Sequence, residues 1–184
     1  MSEIDPDVRD LLDRQAILDC VYRTCRGLDR HDRELLSSCF HPDAIDNDGA
    51  FVGTTDEFVD WADKTLSEQT LSHSHNITSH NVEIDGDTAH ADSYVIRVAR
   101  CREDDGRTVT VAGSRYLDRF EKRDGTWRIA LRRTVNEWRF VADGTVFRTP
   151  DGYPRGTWDR TDPSYQRPLR LPPEIQALYD AQKG

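Results

Sequence analysis

The chain is short of positive charge: 25 lysines and arginines stand against 34 aspartates and glutamates, a formal net charge of −9 over 184 residues. Binding a phosphate backbone takes clustered cations that displace counterions, so no nucleic-acid partner is expected. Long apolar runs are missing too. No stretch approaches the roughly 18 residues of a membrane-spanning helix, so no membrane partner is expected either. The four cysteines (Cys20, Cys25, Cys39, Cys101) include no CxxC spacing and make no zinc-finger pattern with the six histidines. The opening Met-Ser-Glu-Ile-Asp-Pro-Asp is acidic and has no apolar core, unlike a signal or transit peptide, and a reducing cytoplasm is the expected location. The length suits one domain with a substantial core.

What is present divides into helices followed by strands. From Pro6 to about Leu28, apolar residues at Leu11, Leu18, Val21, Tyr22, Cys25 and Leu28 keep to one helix face. Gly27 weakens the last turn, and Asp32 is a natural N-cap for a short second helix through Leu35, Leu36 and Phe40. Short extended pieces at Ala44–Asn47 and Phe51–Val52 lead to a third helix capped at Thr54 or Thr55, with Phe58, Val59, Trp61 and Ala62 facing inward. After Gln69 the period changes to two. Residues 75–84, 88–102, 107–121 and 126–141 read as strands joined by Asp85-Gly-Asp, Glu103-Asp-Asp-Gly and Arg123-Asp-Gly, each suited to a hairpin. The order predicts an α+β fold: a cone-shaped curved antiparallel sheet wrapped around N-terminal helices. Residues 1–143 form this expected domain. Residues 144–184 form an extended C-terminal arm, since 144–173 hold six of the eight prolines, and a short helix is expected at Pro173–Gln182.

The candidate chemistry lies in two short runs, Tyr22-Arg-Thr-Cys-Arg-Gly-Leu-Asp29 and Ser-His73-Ser-His75. If the fold brings Asp29 to His75 inside a pocket, the two make a general acid–base pair. Imidazole is a base suited to neutral pH, and a carboxylate on its other nitrogen fixes its tautomer. Asp29 sits at a helix C-terminus, where the dipole disfavours an anion, so it needs a compensating donor. Tyr22, two turns earlier, is expected to turn its hydroxyl toward the same pocket. His73 and His80 are expected at the rim or the solvent side. A metal site built on His73, His75 and His80 or His90 is disfavoured because His80 falls on the opposite strand face, and no metal or cofactor is assigned. Phe58, Trp61, Tyr94, Ser114, Tyr116, Asn136 and Trp138 are the expected substrate-binding wall.

The runs Asp13-Arg-Gln-Ala-Ile-Leu-Asp-Cys-Val-Tyr-Arg, Gly27-Leu-Asp-Arg-His-Asp, Phe40-His-Pro-Asp-Ala, Val82-Glu-Ile-Asp-Gly-Asp-Thr-Ala and Tyr116-Leu-Asp-Arg-Phe-Glu-Lys-Arg-Asp-Gly-Thr-Trp-Arg-Ile resemble the SnoaL-like branch of the nuclear-transport-factor-like superfamily. The resemblance covers residues 6 to about 141. It is nearest to scytalone dehydratase, bile-acid dehydratase and hexachlorocyclohexane dehydrochlorinase, which share an Asp–His dyad with a nearby Arg or Tyr. It implies that Asp29 and His75 are the dyad and that Arg132 is the strand arginine. Thr24 stands where the dehydrochlorinase has a lysine, which disfavours chloride as the leaving group.

Strict alternation leaves Arg132 in doubt. It shares a strand face with Ala130, Thr134, Asn136 and Trp138, whereas Trp127, Ile129, Leu131 and Val135 make the opposite, more apolar face. Following the resemblance, Arg132 points inward and the apolar face forms a homodimer or homotrimer interface with the C-terminal arm. In the arm, Trp158, Tyr165 and Arg167 are placed over the sheet or the pocket mouth. The implied activity is that of a cofactor-independent, dehydratase-like lyase or an isomerase acting on a small apolar cyclic substrate such as a polyketide, steroid, terpenoid or aromatic catabolite. The alternative is a non-catalytic ligand-binding protein or an oxygenase β-type structural subunit, since one scaffold of this kind serves many functions.

Overall fold

The computed structural model describes residues 5–146 and 153–183; Met1–Ile4, Gly184 and the Phe147–Gly152 portion of the arm lie outside the described residues. Helix α1 (Pro6–Asp29) begins where Asp5 caps the N–H of Asp7 at 2.9 Å and Pro6 occupies the first turn. Its buried residues, Ile17, Cys20, Val21, Thr24, Cys25, Gly27 and Leu28, fall on one stripe. Gly27 does not end the helix. Instead it admits α2 (Arg33–Ser37), because a Cβ there would lie 2.9 Å from Leu36. His31, at φ 50°, turns the chain between the two helices, and Asp32 caps α2 at the Leu35 N–H, 3.1 Å away.

Strands β1 (Phe40–Asn47) and β2 (Val52–Thr54) precede α3 (Thr55–Gln69), where the Glu57 carboxylate accepts the Thr54 N–H at 2.8 Å. Four long strands follow: β3 (Thr70–Asp85), β4 (Thr88–Cys101), β5 (Thr108–Arg123) and β6 (Thr126–Asp143). Their hairpins use the expected turn residues, with Asp124 and Gly125 both at positive φ (51° and 74°), which suits the twist of the flanking strands. The six strands are ordered β2-β1-β6-β5-β4-β3 in a curved, unclosed sheet. The fold is α+β as expected, but the sheet is mixed: β1 runs parallel to β6, with Asp46 level with Arg132. The core between helices and sheet includes Ile17, Val21, Phe40, Phe58, Phe120 and Ile129. Each fully buried aliphatic or aromatic side chain of this kind contributes about 1.5–3 kcal/mol.

Two bulges decide which side chains face the helices. In β6 the register against β5 slips between Phe120↔Ile129 and Arg119↔Leu131, so Ala130 is the extra residue. Trp127 and Ile129 point into the core before it, and Arg132 points inward after it. The expected outward apolar face therefore loses Trp127 and Ile129 to the core, and only Leu131 and Val135, level with Arg119 and Arg115, keep to the outer side. In β3 the register slips between Ile77 and Ser79, which returns His80 to the inner side, where its Nδ1 lies 2.8 Å from the Ser93 hydroxyl.

After Asp143 the described arm runs back over the helices. A single 3-10 turn at Pro163–Tyr165 docks on α1 and α2, with the Tyr165 hydroxyl donating to Asp32 at 2.7 Å and Arg26 over the Tyr165 ring at 4.4 Å. A last helix, α4 (Pro173–Ala181), has Ile175, Leu178 and Tyr179 exposed. Among the described residues no helix is long and apolar enough to cross a membrane.

Candidate active site

The end of α1 meets the first turn of β3. Asp29 Oδ1 lies 2.7 Å from His75 Nδ1, and the two carboxylate oxygens accept the His75 backbone N–H at 3.1 and 3.0 Å. These are the donors that a carboxylate at a helix C-terminus requires. With Nδ1 donating to Asp29, the lone pair sits on Nε2, which has no hydrogen-bond partner among the described residues. His75 lines a cavity of about 1120 Å³ enclosed by α3 and strands β1, β4, β5 and β6.

The wall of that cavity contains most of the expected binding residues. Phe58 and Trp61 come from α3, Ser114 and Tyr116 from β5, and Asn136 and Trp138 from β6. The Ser114 hydroxyl donates to Asn136 Oδ1 at 2.7 Å, and the Trp138 indole lies across Gly113, where a Cβ would come within 2.1 Å of the ring. Arg132 is also a wall residue and is only 1% exposed. Its Nε and Nη2 each donate to Asp118 at 2.7 Å, and its guanidinium lies 4.1 Å from the centre of the Tyr116 ring. Burial alone would lower the pKa of the guanidinium, but the Asp118 carboxylate raises it overall. Arg132 is thus a fixed, permanent positive charge.

Several expectations are corrected. Tyr22 does not share the pocket: it is 49% exposed and lines a separate surface depression beside Lys122 and Trp127. Tyr22 and Asp29 occupy the same flank of α1, but two turns displace them by about 10 Å, and only Asp29 meets β3. Tyr94 is 45% exposed and packs under Arg115 on the outer face. Because β4 pairs with β5 without a bulge, its odd residues (Val95, Arg97, Ala99) face the cavity and Tyr94 faces away. His73 is not a rim residue. Its side chain is fully buried, with Nε2 3.0 Å from the Leu28 carbonyl and Nδ1 3.0 Å from Thr70 Oγ1, and burial pushes its pKa down to about 4. His73 is therefore neutral, donates from Nε2, and stands next to the dyad without competing as a base. Among the described residues the arm supplies no side chain to the cavity wall. Trp158 packs against His31 and His73, with ring centroids 5.5 and 5.1 Å away, and so covers the buried neighbour of the dyad histidine.

Four polar residues of the site escape the sequence reading: Asp46, Asp48, Arg97 and Asp118. Asp118 follows Ser114 and Tyr116 on the same strand face, so alternation alone points to it. Arg97 pairs with His75 across β3 and β4 and lines the cavity. Asp46 on β1 and Asp48, just past the end of that strand, both line the cavity. Asp46 is 1% exposed, and neither carboxyl oxygen has a hydrogen-bond partner among the described residues. Leaving such a group unsatisfied costs about 1–3 kcal/mol. Burial pushes the Asp46 pKa up to about 7 and raises that of Asp48 as well.

A pH-dependent stability follows. The folded Asp46 carboxyl holds its proton up to about pH 7, whereas the unfolded one loses it near its ordinary 3.8, so this group's contribution falls as pH rises between those values. Asp46→Asn should therefore be more stable than wild type above pH 7, and that advantage should shrink by roughly 4 kcal/mol on acidification to pH 4. Denaturant melts of both proteins at the two pH values measure the difference. A constant difference would mean that Asp46 is ionised in the fold throughout this range.

The comparisons return the same curved α+β architecture. The model of the SnoaL-like domain matches residues 9–133, and the chain belongs to that family. Among solved structures it is similar to hexachlorocyclohexane dehydrochlorinase LinA-type3 from Novosphingobium barchaimii, with 20% identity, a TM-score of 0.72, and coverage of 78% of this chain and 99% of that one. It is also similar to a scytalone dehydratase-like protein from Novosphingobium aromaticivorans, with 19% identity, a TM-score of 0.64, and coverage of 79% and 97%. A third, Rv3472 from Mycobacterium tuberculosis, is of unknown function and 25% identical, with a TM-score of 0.63 and coverage of 74% and 78%. No curated protein matches the chain in sequence. Similarity at these identities shows the fold, a scaffold shared by dehydrochlorinase and dehydratase-like proteins.

Proposed function

We propose that the protein is a lyase or isomerase of dehydratase type, in which His75 abstracts a proton from an apolar cyclic substrate and Asp29 holds and neutralises the imidazolium. One observation carries this reading: Asp29 occupies Nδ1 at 2.7 Å while His75 lines the cavity, which leaves Nε2 as the basic nitrogen. A base with its tautomer fixed by a carboxylate is worth about two to four orders of magnitude in rate. Arg132, locked by Asp118, supplies positive charge in the same wall, where negative charge would develop on a substrate carbonyl oxygen as the neighbouring C–H is broken. Phe58, Trp61 and Tyr116 give the apolar surface that suits a ring system.

The test is a set of bicyclic β-hydroxyketones incubated with purified protein in the presence of a chelator, with the conjugated product followed by absorbance. Elimination well above the buffer rate supports the reading. Complete inertness across ketones of graded size, with none binding in thermal-shift assays, would count against it.

A further inference from the structure

Asp46 has no structural task that explains its position. It stands level with Arg132 across the parallel β1–β6 pairing, yet the Nε and Nη2 donors of Arg132 both go to Asp118, and Nη1 lies 3.4 Å from Thr24 Oγ1. The Asp46 carboxyl is 1% exposed, both of its oxygens lack partners among the described residues, and it lines the same cavity as His75. Asp48, just past the end of β1, also lines the cavity. A buried carboxyl with both oxygens free, lining the same cavity as a base, is a donor waiting for a ligand oxygen.

We propose that Asp46 is the general acid of this site, handing its proton to a departing hydroxyl, and that the substrate is accordingly a β-hydroxy carbonyl compound. The proposal rests on the dyad reading and adds the second proton transfer to it. His75 Nε2 takes the proton from the carbon between the carbonyl and the carbinol. That electron pair becomes the new C=C bond, the C–O bond breaks, and the leaving oxygen takes the Asp46 proton and departs as water. The proton on His75 and the vacancy on Asp46 are then exchanged through solvent, so no redox partner or co-reactant enters the balance. The groups that set the acidity of Asp46 are Arg132 from β6, Asp118 from β5 and Asp48 just past the end of β1. Among them burial dominates and keeps the carboxyl protonated up to about pH 7. One carboxylate holding the base and a second, desolvated carboxyl acting as acid is the usual way of running both proton transfers in one pocket.

The discriminating experiment compares leaving groups. A bicyclic β-hydroxyketone needs a proton on its leaving oxygen, whereas its β-acetoxy counterpart does not. In Asp46→Asn the ratio of hydroxyl to acetoxy elimination rates should fall by at least about 100-fold, because the amide can hydrogen-bond but cannot give up a proton. In wild type the same ratio should fall as pH rises past about 7, a measurement that does not depend on whether the variant folds. An unchanged ratio in the variant, or a pH-independent ratio in wild type, overturns the role of Asp46 and leaves the dyad standing. Loss of both eliminations in His75→Ala identifies the dyad separately. Wild-type protein inert toward both ketones would overturn the dyad reading and this one together.

Discussion

Asp29→Asn should lower elimination turnover by roughly two to four orders of magnitude while circular dichroism and melting temperature stay close to wild type. The expected size comes from the tautomer. Asparagine can still accept the His75 backbone N–H through its oxygen, now accepted at 3.1 and 3.0 Å, so the junction between α1 and β3 survives. Its amide N–H₂ then faces Nδ1, which must accept, so the ring proton moves to Nε2 and the base is lost. His75→Ala removes the base outright and should match the asparagine variant in turnover. The pair acts as a unit, so combining both changes should cost little more than either alone. Wild-type turnover in either single variant would remove the dyad from the mechanism, and additive losses would show that the two residues act separately.

The largest stability effect is expected at Arg132. Replacing it with methionine leaves the Asp118 carboxylate buried without its two 2.7 Å donors, and breaking a buried pair in this way costs about 3–5 kcal/mol. For a chain of this length that corresponds to a fall in melting temperature of roughly 6–20 °C. Removing both charges together, as Arg132→Met with Asp118→Leu, should recover much of the loss, because the uncompensated anion is then gone. Equal destabilisation in the single and double variants would show that packing by the arginine stem, rather than the ion pair, sets the cost. The same experiment separates structure from chemistry at Arg132: the double variant folds without the positive charge, so a low turnover there belongs to the missing charge and not to unfolding.

Local rules made the helices and hairpins legible. Asp32 caps the helix expected of it, the start of α3 falls at Thr54 and Thr55 as expected, and Asp-Gly turns join the long strands. The approach of Asp29 to His75 was legible only as a conditional, because nothing local in the chain says that the end of α1 meets the start of β3. Face assignment failed where the period of two was broken. The extra residue at Ala130 lets Ile129 and Arg132 both point inward, a combination that strict alternation forbids, and the one at Thr78 does the same for His80. Bulges carry no dependable signature in a single sequence, since Ala130 and Thr78 are ordinary strand residues. Asp46 was overlooked for a related reason. Its meaning depends on a parallel pairing with β6 and on the prior claim of Asp118 on Arg132, both long-range facts.

The ring that packs on His73, the buried neighbour of the dyad histidine, is Trp158, beyond the 9–133 segment that defines the family. The reacting groups and this cover of their neighbour are therefore written in separate stretches of chain. A lineage can rewrite its tail, and with it the dielectric around His73, without disturbing a single cavity-lining side chain.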